Sequence, residues 1–253
     1  MLYNARDMTQ TADDADISSS TKKSKPTLIA PVWHTVVLVV FLLGLSWWGA
    51  RAGSLVPPPV AARTHGHVVA YIFVIVIECL VVLFVLYGLR LRKLTLKELI
   101  GPRKLTLMNV VRDLGIALLF FIGSNIILGI VALIVRAGHN PAIRKISPSG
   151  AAEIILYLLV SLSAGICEEI VCRGYLQKQL IGLTKSTSAG ILLQGIIFGA
   201  AHGYQGTKFM IVIGVYGCLF GLLAQFRNSL YPGMMTHALQ DGIAGLIVRN
   251  MAR

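Results

Sequence analysis

Long apolar runs separated by short charged or proline-rich intervals dominate the pattern along this chain. Residues 32–50 form the first, with Trp33 at one end and Trp47 and Trp48 at the other, where aromatic rings favour a membrane interface. Residues 68–89 form the second, apolar almost throughout except for Glu78 at the centre. The third covers 114–135, with Asn125 in its middle. Residues 151–183 then make a run longer than the roughly 20 residues that cross a bilayer, so this helix is expected to tilt, break or leave the membrane near Lys178. Residues 188–202 are shorter than a full crossing. Residues 209–226, with Gly217 and Gly221 spaced for close helix contact, and residues 230–248 complete the series.

The intervals agree with this reading. Residues 1–26 are polar and mixed in charge, which predicts a disordered cytoplasmic tail. The first apolar run comes too late and runs too long for a cleaved signal, so it is expected to remain as a span. Residues 90–112 carry Arg90, Arg92, Lys93, Lys97, Arg103, Lys104 and Arg112, a strong cytoplasmic-loop signal, and Leu96 to Ile100 suits a short surface helix. With seven spans and the amino terminus inside, 15 of the 23 lysines and arginines fall on the inner side. Pro57, Pro58 and Pro59 stop the first helix, and the nearby His65 and His67 read as a solvated turn. Gly138, Asn140, Pro141, Pro148 and Gly150 read as a loop.

Composition sharpens the class. Hydrophobic residues make up 55% of the 253 and charged residues 13%, about half the charged share of a soluble domain. The net charge of +12 sits in short loops beside apolar runs rather than on an aromatic-laced basic surface, so the expected partner is a lipid bilayer and not nucleic acid. Cys79, Cys167, Cys172 and Cys218 all lie in apolar runs without metal-knuckle spacing and read as packed thiols. The expected fold is all-α: a polytopic transmembrane bundle of about seven spans, with its site inside the last four helices. Its parts are a tail (1–30), amino-terminal membrane helices with the basic loop (31–136) and a catalytic membrane domain (150–249).

The chemistry concentrates in that last part. Glu168, Glu169 and Arg173, His202, and His237 with Asp241 place six ionisable groups on three apolar helices. Such groups are costly in a membrane and by default mark a functional site. Glu169 and Arg173 are four apart and can pair, leaving Glu168 on another face. Phe198 and His202, and His237 and Asp241, share helix faces in the same way. A carboxylate and an imidazole aimed at one water can deprotonate it, and a second imidazole can hydrogen-bond the oxyanion formed from an amide carbonyl. Each pair alone also reads as a packing or interfacial feature; their conjunction favours one site. Glu78 and Asn125 read as interhelical hydrogen-bond partners, with Glu78 also placed to line a substrate path.

Glu168-Glu169-x-x-x-Arg173, Phe198-x-x-x-His202 and His237-x-x-x-Asp241, in this order on successive apolar helices, resemble the CPBP family of intramembrane proteases, the CAAX-processing and bacteriocin-processing (Abi) enzymes. The resemblance covers roughly residues 151–248. It implies that Glu168 and His202 activate a water, that Glu169 and Arg173 support them, and that His237 and Asp241 bind the oxyanion or orient the site. It also implies a membrane-associated substrate: a prenylated carboxy-terminal tail, or a leader or bacteriocin-type peptide. The location it implies is the cell membrane of a prokaryote or the endoplasmic reticulum membrane of a eukaryote.

Asparagine is common in the last motif, and an ionised Asp241 cannot donate a hydrogen bond as asparagine does. Asp241 is then protonated, orients His237, or belongs to the shell of a divalent metal. Glu168, His202 and His237 do make up a zinc-type set with room for a water. No His-Glu-x-x-His helix is present, and a glutamate-activated water without cofactor is the favoured reading. The rival classes are an ion-coupled transporter, which predicts inverted repeats that are not seen, and a non-catalytic immunity or scaffold protein.

Overall fold

The computed structural model describes residues 27–55, 66–102, 106–138, 140–148 and 150–251. The expectations for the tail 1–26, for Pro57 to Pro59 and for His65 concern residues outside that set. Among the described residues every regular element is helical.

α1 (Val32–Leu55) and α2 (Gly66–Arg90) form where the first two apolar runs lie. His67 does not sit in a solvated turn. It opens α2, and its Nδ1 faces Glu153 at 3.3 Å. α3 (Leu96–Ile100) is the expected short helix, started by Thr95, whose N–H donates to the Glu98 carboxylate.

α4 (Leu107–Ile134) begins seven residues before the apolar run does. Thr106 caps it by accepting from the Asn109 N–H, and the charged first turns are satisfied: Arg112 donates to Asn109, and Asp113 pairs with Arg227 at 3.2 Å. Where the sequence reads as loop, α5 (Pro141–Ile146) forms instead. Asn140 accepts from the Ala142 N–H, and proline at the first turn lacks only a donor that would have been unsatisfied anyway.

α6 (Ala151–Glu169) does not break. It passes into a π-helical segment, Ile170–Leu176, and then into α7 (Gln177–Thr184), so one rod runs from Ala151 to Thr184. The Gln177 N–H reaches back five residues to the Cys172 carbonyl. α8 (Thr187–Ala201) is capped by Ser186, and α9 (Thr207–Arg227) and α10 (Tyr231–Met251) complete the fold.

Among the described residues five helices are long and apolar enough to cross a membrane: Val32–Ala52, His67–Arg90, Leu107–Ile134, Ala151–Thr184 and Thr207–Arg227. Their outer faces expose large apolar side chains, among them Leu119 and Leu133 on α4 at 73% and 80%. Apolar surface on that scale needs lipid. The chain is an integral, multi-pass membrane protein.

The other two of the seven apolar segments fall short for different reasons. α8 has only 15 residues, and α10 carries Thr236, His237, Gln240, Asp241 and Arg249. α10 can be this polar because it packs among α4, α6 and α9. There Asn125 of α4 donates to Gln240, the interhelical role expected of it.

Glycines set the closest approaches. A Cβ on Gly165 would lie 2.7 Å from the Ala238 nitrogen and 2.8 Å from the Met234 carbonyl oxygen, so α6 and α10 touch backbone to backbone. Gly195 and Gly199 of α8 meet Gly214 of α9, and Gly217 lies under Phe198. Replacing Gly165 with leucine should lower the melting temperature in detergent, at a cost of about 1–3 kcal/mol or more from overpacking. Gly123→Leu, where a Cβ meets nothing, should melt at or above the unmodified protein. Equal melting temperatures for the two variants would contradict this packing.

Candidate functional site

The site is built on the end of α6 and the π-helical segment after it. π-Helical segments are rare, and they recur at functional sites because they re-aim side chains within a continuous helix. Here the segment carries Arg173 inward. Its Nη1 lies 2.9 Å from Glu169 Oε1, with both side chains essentially unexposed. Arg173 Nη2 donates to the Gly217 carbonyl at 3.3 Å, and the guanidinium stacks against Phe198 and Phe220 at 4.3 and 4.8 Å. Cation–π contacts in a desolvated setting of this kind are worth about 2 kcal/mol.

Glu169 has a second partner. His237 Nδ1 donates to Glu169 Oε1 at 3.2 Å, while its Nε2 lies 3.7 Å from both Glu168 Oε2 and Asp241 Oδ2. His237 stacks on Phe220 at 5.2 Å and is 4% exposed. Gly233 lets Glu169 come this close, since a Cβ there would sit 2.9 Å from Oε2. Glu168, Glu169, Arg173, His237 and Asp241 thus form one connected polar chain.

His202 stands apart from that chain, just past the end of α8. Its Nδ1 lies 2.8 Å from the Phe198 carbonyl oxygen. A carbonyl only accepts, so Nδ1 carries the hydrogen and Nε2 is left with its lone pair in the neutral ring. Phe198, one turn earlier, packs on the imidazole at 4.7 Å.

His202 and Glu168 meet across a cavity of about 400 Å³. Cys167, Cys172 and Phe198 complete the wall on their side, while Ser46 and Trp48 of α1 and Phe73 and Glu78 of α2 supply the opposite wall. No hydrogen bond or ion pair joins Glu168 to His202 directly. His237 and Asp241 lie outside the wall, behind Glu168.

Residues 150–243 match the family model described as Type II CAAX prenyl endopeptidase Rce1-like. Over this segment the chain is similar to the CAAX protease family. Comparison with curated proteins gives no match, and neither does comparison with solved structures. All six candidate site residues, from Glu168 to Asp241, fall inside the matched segment. α1 and α2 fall outside it, yet they supply half of the cavity. The motif pattern alone gave the amino-terminal helices no part in the site. The available signal was Glu78, a carboxylate in the middle of an otherwise apolar helix. It accepts from Ser163 of α6, as an interhelical partner should, and it also lines the cavity.

Among the described residues no three His, Cys, Asp or Glu side chains stand in a metal-holding arrangement. Glu168 and His202 face each other across the cavity, while Nε2 of His237, whose Nδ1 bonds Glu169, lies 3.7 Å from Glu168 and from Asp241. Nor do thiols form a second centre, as all four cysteines are free and Ser163 is bonded to Glu78.

Removing one member of the buried pair strands the other. Arg173→Met should cost about 3–5 kcal/mol, measured by unfolding in detergent, because Glu169 is left buried without its partner. Glu169→Gln combined with Arg173→Met should recover much of that loss. A double variant as unstable as the sum of the single ones would show that the two groups do not act as a pair.

Proposed function

We propose that this protein is an intramembrane endopeptidase that hydrolyses a peptide bond of a membrane-associated protein or peptide with a water activated by Glu168 and His202. The observation that carries the reading is the shared cavity. A carboxylate and an imidazole nitrogen bearing a lone pair line one chamber without bonding each other, which leaves space for a water and a substrate carbonyl.

In the proposed step the water lies between Glu168 and His202 Nε2. Glu168 takes one proton as the oxygen attacks the carbonyl carbon, and His202 holds the other hydrogen. The C–N bond then breaks, and Glu168 passes its proton to the departing nitrogen. His237 acts from behind the wall. It sits between Glu168 and Glu169 and fixes where Glu168 points, while the Glu169–Arg173 pair fixes His237. Asp241, facing the same nitrogen of His237, orients it rather than touching substrate. The proposed substrate class is a CAAX-type carboxy-terminal tail or a leader or bacteriocin-type peptide presented from the bilayer. The apolar walls of the chamber suit either.

Glu168→Gln and His202→Ala should each lower cleavage of quenched membrane peptides by about 10²–10⁴-fold, the usual range for a proton-transferring group. Both should keep the melting temperature of the parent within a few degrees. Elemental analysis of the chelator-washed protein completes the test. Metal-free protein that cleaves supports the glutamate route, while stoichiometric metal lost from both variants would replace it with a metallopeptidase. Undiminished cleavage by Glu168→Gln would remove the assignment.

A further inference from the structure

The hydrolytic step above leaves one half-buried carboxylate of the chamber unused. Glu78 is the one acidic residue of α2, and it stands near the middle of that helix. A carboxylate there costs several kcal/mol to place in a bilayer unless it gains partners. Its one hydrogen bond among the described residues is with the Ser163 hydroxyl at Oε2, and such a bond returns only about 1 kcal/mol. No lysine, arginine or histidine lies within ion-pair distance of it among the described residues. The cation of the site, Arg173, is committed to Glu169, and His237 turns its Nδ1 to the same carboxylate. Glu78 lines the cavity, and among the described residues no hydrogen bond is made to its Oε1.

We propose that Glu78 is a specificity-determining carboxylate that receives a cationic side chain of the substrate. The inference rests on the peptidase reading of the chamber. Beside Glu78, what α1 and α2 add to the lining is mostly apolar, including Leu42, Leu45, Phe73, Val74 and Ile77. In such a wall a carboxylate discriminates sharply, because a substrate without a matching donor leaves it desolvated and unpaired.

Register follows from the helix. Glu78 bonds Ser163, which is five residues before Glu168 on the regular part of the rod, so the two carboxylates are offset by about 7.5 Å along it. An extended peptide covers about 3.3 Å per residue, so the cation belongs about two residues from the bond cleaved.

The test uses apolar membrane peptides in which lysine or its uncharged analogue norleucine is moved through three positions on either side of the cleaved bond. Binding of labelled peptides to Glu168→Gln protein in nanodiscs is read by anisotropy, alongside cleavage by the parent protein. Lysine two residues from the bond should be preferred over norleucine by about 10- to 100-fold, the worth of a hydrogen bond to a charged group. Adding Glu78→Gln, which keeps the Ser163 bond, should bring the ratio to near one. Glu78→Lys should shift the preference to peptides with glutamate at that position. A ratio near one before Glu78 is changed, or a lysine preference that survives Glu78→Gln, would overturn the proposal. Failure of the parent protein to cleave any peptide would count against the hydrolase reading alone, since the binding ratios still decide the role of Glu78.

Discussion

The buried pair of Glu169 and Arg173 is the interaction on which the rest of the site depends. Two opposite charges out of water are stable only with good geometry and further partners. The partners come from every helix around them. Arg173 lies between Phe198 of α8 and Phe220 of α9 and bonds the Gly217 carbonyl, while Glu169 accepts from His237 of α10. Gln194 of α8 donates to the same Gly217 carbonyl, at 2.7 Å. Four elements are therefore fixed to one charge pair, and Glu168, next in the chain, inherits its position from them. The adjacent acids divide the work: one is immobilised and the other is left at the edge of a chamber.

That division begins with helix geometry, and the π-helical segment builds on it. Along a regular helix, Glu168 and Glu169 differ by about 100° in direction, so Arg173 can meet only one of them. The wider turn from Ile170 to Leu176 then carries Tyr175 to α1, where its hydroxyl meets His34 at 2.7 Å and Thr35 at 2.9 Å. His34 in turn faces the Phe84 carbonyl of α2 at 2.8 Å. The same segment that holds the charge pair on one side thus fastens the two amino-terminal helices on the other. Gly88 makes room for the His34 ring, which leaves no space for a Cβ.

Much of this was legible in the sequence because its rules are local. Apolar runs gave the long helices, charge gave α3, and four-residue spacing gave the pairs of Glu169 with Arg173 and Phe198 with His202. The missed features are satisfied from far along the chain. Asp113 looks like a helix boundary until Arg227 is beside it, and His67 looks solvated until Glu153 is. His202 and His237 have equal standing as sequence motifs. Only packing separates them, since His202 ends its helix at a cavity while His237 is enclosed by Phe220, Glu169 and Glu168. The π-helical segment left no local mark, because its register is set by what Arg173 and Tyr175 reach.

The two walls of the chamber answer to different constraints. Behind the wall formed by α6 and α8, hydrogen-bonded neighbours fix Glu169 and Arg173, and moving one disturbs a charge pair shared by four helices. α1 and α2 bear no such burden. Apart from Ser46 and Glu78, their contribution to the cavity is apolar surface, and most of their outward side chains meet lipid. Substitutions there change the shape and charge of the chamber while leaving the Glu169–Arg173 network intact. On the peptidase reading proposed above, substrate choice could then vary on helices outside the family match without disturbing the network inside it. A lone carboxylate on the free wall is where such a choice would be written, since its cost is borne without any help from the network opposite.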